Sequence, residues 1–348
     1  MVKSTRFFSI VLCFFFITCE VAPSKVVKSE ESSIAIASKA SNNGEWLKAA
    51  QLFEQLYLQE LSNEELNYQT GTNYLRANKP RKALAILSNF DNKHQDSTNE
   101  FNGRQARIAK AYYKIRDFQK VEEVVRNYTY PKMYRGLARE HLKALIQLNK
   151  KTDLAAHFSN YQEKGIYDDK GKKTNTGFLY RAICNELLLV DNKELLSAYA
   201  TKYQHWVKEH RPKDKRNLAI AIFYQQDYLQ AISRLKDALA VEDSPRHRME
   251  LAGLLGVCYA KNRELGKAKT QIQKIHEMED LPARHDAFGA KYYHQARIEV
   301  ALGQQEKAIY SLQKAIANKA AFWSNRFNED GLMKELFDVI DFEKLIAK

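Results

Sequence analysis

Along most of the chain, apolar residues recur at intervals of three and four, the spacing that lines one face of an α-helix. Residues 249–275, MELAGLLGVCYAKNRELGKAKTQIQKI, show this without a single proline. Small residues interrupt the stripe at fixed places: Gly256 and Ala268 stand twelve apart, with Tyr259 between them and Ile272 beyond. The arrangement recurs as Gly71, Tyr74, Ala83 and Leu87, and as Ala109, Tyr112, Val121 and Val125. Ala37, Gly44, Ala49 and Phe53 repeat it near the start, Ala219, Ala231, Leu235 and Ala238 further on, and Ala296, Gly303, Ala308, Leu312 and Ala315 near the end. Each set predicts two antiparallel helices. A small residue on the first lets the second approach to the usual 8–10 Å, and the aromatic and aliphatic positions fill the gap.

These segments resemble tetratricopeptide repeats, whose unit is about 34 residues. The second-helix positions Ala49, Ala83, Val121, Ala231, Ala268 and Ala308 follow one another by 34, 38, 110, 37 and 40 residues. The gap of 110 has room for two more hairpins. YRGLAREHLKALIQL with DLAAHFSNYQEKG, and GFLYRAICNELLLV with KELLSAYATKYQHWV, are suitable amphipathic pairs. They read as degenerate repeats over 131–207, with an irregular helical insert as the alternative. Pro80, Pro131, Pro212, Pro245 and Pro282 all fall between periodic segments, and Ser244-Pro245 reads as an N-cap followed by the first helical residue. The resemblance covers 33–318. It implies an all-α fold: a right-handed superhelical solenoid of about eight hairpins, closed by a C-terminal capping segment over 319–348. Such stacks leave an apolar face at the open end, which Leu332, Leu336, Phe337, Ile340 and Phe342 are expected to cover. A partner-binding arm is the other reading of this tail.

The N-terminus carries an address. Lys3 and Arg6 precede the apolar run FFSIVLCFFFIT, residues 7–18, which is shorter than the roughly 20 residues that span a bilayer. FITC, ending at Cys19, resembles a bacterial lipobox, although Phe16 and Thr18 depart from its usual residues. That resemblance implies a signal over 1–19, lipidation of Cys19 and a flexible tether over 20–32, which contains Pro23. Cleavage near Val21–Ser24 is the alternative, giving a periplasmic or secreted soluble protein; an uncleaved anchor is another. The two remaining cysteines, Cys184 and Cys258, sit inside apolar helical patterns and read as buried structural thiols.

The net charge is +13, from 55 Lys and Arg against 42 Asp and Glu. Nucleic acid is a poor partner for it, because the signal directs the chain elsewhere and no nucleic-acid module is recognisable. KEHRPKDKR, residues 208–216, is the densest basic run and reads as a solvated loop joining two hairpins. Zinc, phosphate-loop and nucleophile-elbow motifs are missing. His205 and His210 have no third ligand near them and read as surface residues, so neither metal nor cofactor is expected. Asn127-Tyr128-Thr129 matches a glycosylation sequon, whose use the bacterial type of signal argues against.

By resemblance, the first helices of successive hairpins line a concave groove. Its candidate lining is Tyr68 and Arg76, Lys110 and Lys114, Lys213 and Arg216, Lys261, and Tyr293 and Arg297. Most are basic, so an acidic protein or peptide partner suits them. They do not reproduce the Lys/Asn arrangement of chaperone-tail-binding domains. The expectation is a non-enzymatic protein–protein interaction scaffold of the cell envelope, serving complex assembly or secretion. Two rivals stand beside it: an envelope enzyme or its accessory on a helical solenoid, and a module binding anionic membranes or polyanions directly.

Overall fold

A computed structural model of the protein describes residues 25–89, 99–128, 132–168, 170–211, 213–279, 281, 288–318, 320–337 and 339. Cys19 with its signal, Pro23, Thr129, Pro131, Pro212, Pro282, Ile340 and Phe342 lie outside them. The helices pair in sequence. The first four hairpins are α1 (Lys25–Asn42) with α2 (Trp46–Gln59), α3 (Glu64–Arg76) with α4 (Pro80–Ser88), α5 (Asn99–Lys114) with α6 (Phe118–Arg126), and α7 (Arg135–Gln147) with α8 (Lys151–Lys164). Four more follow: α9 (Gly177–Leu189) with α10 (Lys193–His210), α11 (Lys215–Tyr224) with α12 (Tyr228–Leu239), α13 (Pro245–Lys261) with α14 (Leu265–Glu277), and α15 (Ala290–Ala301) with α16 (Gln305–Asn318). A short α17 (Ala320–Phe327) and a 3-10 helix, Gly331–Leu336, close the described chain. Helix α1 takes in residues 25–32, which sequence alone suggests are tether.

Every hairpin turns on one left-handed residue. These are Gly44, Asn78, Arg116 and Asn149, then Asp191, Gln226, Arg263 and Gly303, with φ between 56° and 77°. At such a turn the amide after the left-handed residue reaches back to a carbonyl inside the helix and satisfies one of its orphan acceptors. Lys79 donates to Tyr74 at 2.8 Å, Glu264 to Tyr259 at 2.8 Å, and Lys150 to Leu145 at 2.9 Å in this way. Side-chain caps fix several of the starts. Asn63 accepts from the Leu66 amide, Asn192 from Leu195 and Asp227 from Gln230, each contributing about 1 kcal/mol.

With these turns as reference points, the repeat is uniform. Seven residues before each stand Ala37, Gly71, Ala109 and Leu142, then Cys184, Ala219, Gly256 and Ala296, all described as buried. Five residues after each stand Ala49, Ala83, Val121 and Leu154, then Leu196, Ala231, Ala268 and Ala308, none more than 2% exposed. The stretch 131–207 therefore holds two true hairpins carrying Leu or Cys where the others carry small residues. It also holds an addition: a two-stranded antiparallel ribbon, β1 (Ile166–Tyr167) and β2 (Lys173–Thr174), lies between α8 and α9 with Ile166 opposite Thr174.

The small residues act in two ways. A Cβ on Gly71 would stand 2.4 Å from Leu87 Cγ on its own second helix, the contact the pattern implies. For Gly256 the tight neighbour is different: Ile298 Cδ1, 2.3 Å from that position, belongs to the first helix of the next hairpin. Stacking between repeats, as well as closure within one, sets that glycine. Cys184 and Cys258 are buried without a disulfide, and burial raises both thiols. The 208–216 run lies between two hairpins but is less of a loop than expected: 208–210 end α10, and Lys215 and Arg216 begin α11, which Asp214 caps.

Helix α17 packs on α16, and Trp323 and Phe327 enter the last apolar cluster, so that end is covered. The segment after it joins the same cluster through Met333, Leu336 and Phe337, while Leu332 packs on the neighbouring core. Gly331–Leu336 crosses to the first helices α9 and α15, while α17 touches α3 near the other end of the array. The solenoid thus curls far enough for its last elements to meet its early ones.

Candidate basic chamber on the inner face

This closure borders a half-open cavity of about 620 Å³. First helices supply much of its wall: Thr72, Leu75 and Arg76 from α3, Arg107 and Lys110 from α5, Arg139 from α7 and Arg181 from α9. Opposite them stand Arg246, His247 and Glu250 of α13, Tyr293 and His294 of α15, and Phe322, Trp323 and Arg326 of α17. Trp46 and Ala290 complete the wall together with Glu329, which follows α17. Seven arginines and lysines face two carboxylates. Helical spacing explains part of the concentration: Arg107, Lys110 and Lys114 repeat at three and four along α5 and share one face.

Both chamber carboxylates are held by cations. Glu250 pairs with Arg181 across α13 and α9 at 2.6 Å. Burial alone would raise its pKa, but Arg181, Arg326 and Arg297 hold it far below the usual carboxylate range. Glu329 lies between Lys114 at 3.8 Å and Lys143 at 3.5 Å. Burial pushes it up as well; Lys143, Lys110, Lys114 and Arg139 more than reverse this and hold it well below the ordinary value. Lys110 is half-buried, and burial lowers it to about 8 against the opposing pull of Glu329.

Behind Glu329 lies a layer of buried charge. Lys143 of α7 is within 4 Å of Glu140 and Glu186, with its ammonium 3.7 Å from the centre of the Tyr113 ring. Glu186 accepts from the Tyr113 hydroxyl at 2.5 Å and from the Gln147 amide, and burial raises its pKa. The next residue of the tail, Asp330, is 2% exposed. It accepts from Arg297 Nε at 2.6 Å and the Tyr293 hydroxyl at 2.7 Å, and its other oxygen caps the 3-10 helix through the Leu332 amide. Trp323 stacks on Tyr293 at 4.6 Å and donates to the Phe288 carbonyl. Asn185 of α9 donates to the Glu329 carbonyl. At Gly331 a Cβ would lie 2.8 Å from the Leu189 nitrogen and 2.9 Å from the Asn185 oxygen, so only glycine lets the tail cross α9 this closely. With Phe327, Met333 and Leu336 also buried, this segment is a fixed wall of the inner face.

The nine groove candidates separate accordingly. Arg76, Lys110 and Tyr293 line the chamber, and Tyr68 stands at its edge, accepting from Arg107 at 3.4 Å. Lys114 and Arg297 are nearly buried and bind the tail's own carboxylates. Lys261 is exposed and pairs with Glu335 at 3.9 Å. Lys213 is exposed in the loop before α11, and Arg216 faces Glu242 at 3.8 Å; neither reaches the chamber. Arg216 stands ten residues before its turn, as Arg139, Arg181 and Tyr293 do, but belongs to α11, which gives no residue to the chamber. Sequence reasoning missed Arg107, Arg139, Arg181, Arg246 and Arg326, and Arg107 had a signal in its three-residue offset from Lys110.

Outside the chamber, His205 pairs with Glu209 at 2.9 Å, and His210 stacks on Trp206. No cluster of three or more His, Cys, Asp or Glu able to hold a metal occurs among the described residues. No described helix is long and apolar enough to cross a membrane.

The architecture is an all-α solenoid of helical hairpins. No family model matches the sequence, and no curated protein does. Among solved structures, the chain is similar to a tetratricopeptide repeat protein from Parabacteroides merdae, with 14% identity over 92% of this chain and 98% of that one and a TM-score of 0.46. It is also similar to the TPR2AB domain of yeast Sti1, solved as a complex with pHSP90. There the identity is 13% over 88% of this chain and 98% of that one, with a TM-score of 0.29.

Proposed function

We propose that this chain is a non-enzymatic docking scaffold whose inner face takes a partner protein through a short acidic segment. The observation that carries this reading is the chain's own tail. Glu329 and Asp330 lie on that face in the turn that follows α17, their side chains on Lys114, Lys143 and Arg297 and one backbone carbonyl on Asn185. Ion pairs that set register, joined by a main-chain hydrogen bond, are the means by which a scaffold holds an acidic strand of another protein. The part left open to a partner is the chamber, whose remaining charge is basic. The signal-like run and lipobox-like ending at Cys19 support a seat for this scaffold at the cell envelope on a lipid anchor, where it would serve complex assembly or secretion.

The test is photo-crosslinking in the native host. A crosslinking amino acid replaces Thr72 or Arg246 at the chamber, or Leu229, which is 69% exposed on α12 and outside the chamber. One protein captured from both chamber positions and not from Leu229 supports the reading. Capture from Leu229 alone, or from no position, refutes it. Cys19→Ala should end fatty-acid labelling and release the protein from membranes, and unchanged labelling would remove the anchor from the proposal.

A further inference from the structure

The chamber holds more positive charge than the tail or its own carboxylates neutralise. Glu250 is committed to Arg181, and Glu329 to Lys114 and Lys143. Arg107, Lys110, Arg246 and Arg326 are left with no carboxylate in ion-pair contact among the described residues, although all four line the same cavity of about 620 Å³. Cations gathered around one pocket repel one another, and a wall of one sign concentrates counter-ions. Three buried polar atoms of this wall are also unpartnered among the described residues: Nδ1 of His294 and two donors, the hydroxyl of Thr72, a residue 4% exposed, and Nε of Arg107. Buried donors normally find partners, so these two are placed for a ligand that accepts hydrogen bonds.

We infer that the chamber is a binding site for a compact anion carrying two or more phosphoryl groups. One carboxylate would offset one of the four cations, whereas clustered phosphoryl groups offset several at once. Arginine presents a planar fork of donors that matches phosphate oxygens two at a time, and three of the four surplus cations are arginines. The volume falls within the range of roughly 300–1,000 Å³ that suits small ligands. Trp323, Phe322 and Tyr293 form an apolar side to the same space, which limits competing water. This site goes beyond the docking reading and does not depend on it; a phosphorylated occupant and an acidic partner segment would compete for the chamber.

The test is calorimetric titration of sodium tripolyphosphate into the full-length protein in detergent. It is repeated on Arg326→Gln, on Arg107→Gln/Arg246→Gln, and on Lys208→Gln/Lys213→Gln, which removes two exposed lysines elsewhere. Arg246 and Arg326 are exposed at the chamber rim, so their loss leaves the core intact. The expected result is one site per chain, weakened about tenfold or more by each chamber variant and unchanged by the lysine variant. Phosphatidylglycerol vesicles binding with the same variant pattern, in place of tripolyphosphate, would support the phosphoryl site and make its source a lipid headgroup. Hexaglutamate binding as tightly as tripolyphosphate would overturn the phosphoryl assignment in favour of carboxylates. Absence of binding to both phosphate probes, or equal weakening by the lysine variant, would overturn the site.

Discussion

Asp330→Ala tests whether the tail is a fixed part of the inner face. The carboxylate is 2.6 Å from Arg297 Nε, with both side chains nearly inaccessible. At an effective dielectric of about 20, that separation gives a gross attraction of about 6 kcal/mol. Removing water from both ions takes back much of this, so the intact pair stabilises the fold far less than the gross figure. Breaking the pair is another matter, because Arg297 stays buried without its counter-charge, a change that costs roughly 3–5 kcal/mol. The Tyr293 hydroxyl and the Leu332 amide lose their acceptor in the same step. In a repeat array the loss should be felt locally, as easier opening of the tail against α15. Hydrogen-exchange mass spectrometry of peptides covering 320–337 is the assay. About 4 kcal/mol corresponds to exchange nearly a thousandfold faster there, with little change in α3 to α6. Adding Arg297→Met should recover part of the protection, with a coupling of about 2 kcal/mol in the double-mutant cycle. Protection within tenfold of the parent in Asp330→Ala, or strictly additive effects, would refute the account of this pair.

The other predictions concern the turns, the α9 crossing and two titrations. Gly303 has φ 71° and nothing within 4 Å of its missing Cβ, so Gly303→Ala isolates the backbone term and should cost about 1 kcal/mol in urea unfolding. Gly71→Ala adds the same methyl against Leu87 at 2.4 Å and should cost more, about 1–3 kcal/mol. Gly331→Ala meets backbone atoms of α9, which cannot rotate away, and should raise exchange in the tail as Asp330→Ala does. Glu329 has a depressed pKa in the folded state, so its contribution is complete above the ordinary carboxylate range and is lost as pH falls through the lowered folded value. The destabilisation caused by Glu329→Gln should therefore be largest near neutral pH and shrink in acid, as denaturation at several pH values would show. Lys110, lowered to about 8, should lose its proton as pH rises through that value; tripolyphosphate affinity would fall over the same interval and stay flat there in Lys110→Gln.

The eight hairpins were legible because a close helical approach leaves few residue choices. Gly or Ala at the first-helix position and Ala or Val at the second mark six of the pairs. The middle two are hidden because Leu142 with Leu154, and Cys184 with Leu196, hold the same places with larger side chains. Their turns, at Asn149 and Asp191, are a better signal than their cores. Asn, Asp and Gly tolerate the left-handed region that ends each first helix and mark five of the eight turns, while Arg116, Gln226 and Arg263 hold the other three. The β1–β2 ribbon had no such mark, since two residues per strand leave too short an alternation to detect.

The inner face was harder to read, for a reason that lies in the closure of the array. Along α7, Glu140 and Lys143 fall on the polar stripe of an amphipathic helix, the pattern of a solvated surface. In the folded chain they are 1% and 4% exposed, and the carboxylate that reaches Lys143 comes from Glu329, 186 positions away. Periodicity shows which residues share a helix face and leaves open what that face meets. For the outward-facing second helices it meets water, and the reading from pattern holds. For first helices inside a curled solenoid, the polar stripe becomes an interior, where every charge needs either a partner or a ligand. Lys114, Lys143 and Arg297 found partners in the tail. Arg107 and Lys110, half-buried, and Arg246 and Arg326, exposed at the rim, line the chamber without a carboxylate in contact among the described residues, and that difference separates the part of this face built for stability from the part left to bind.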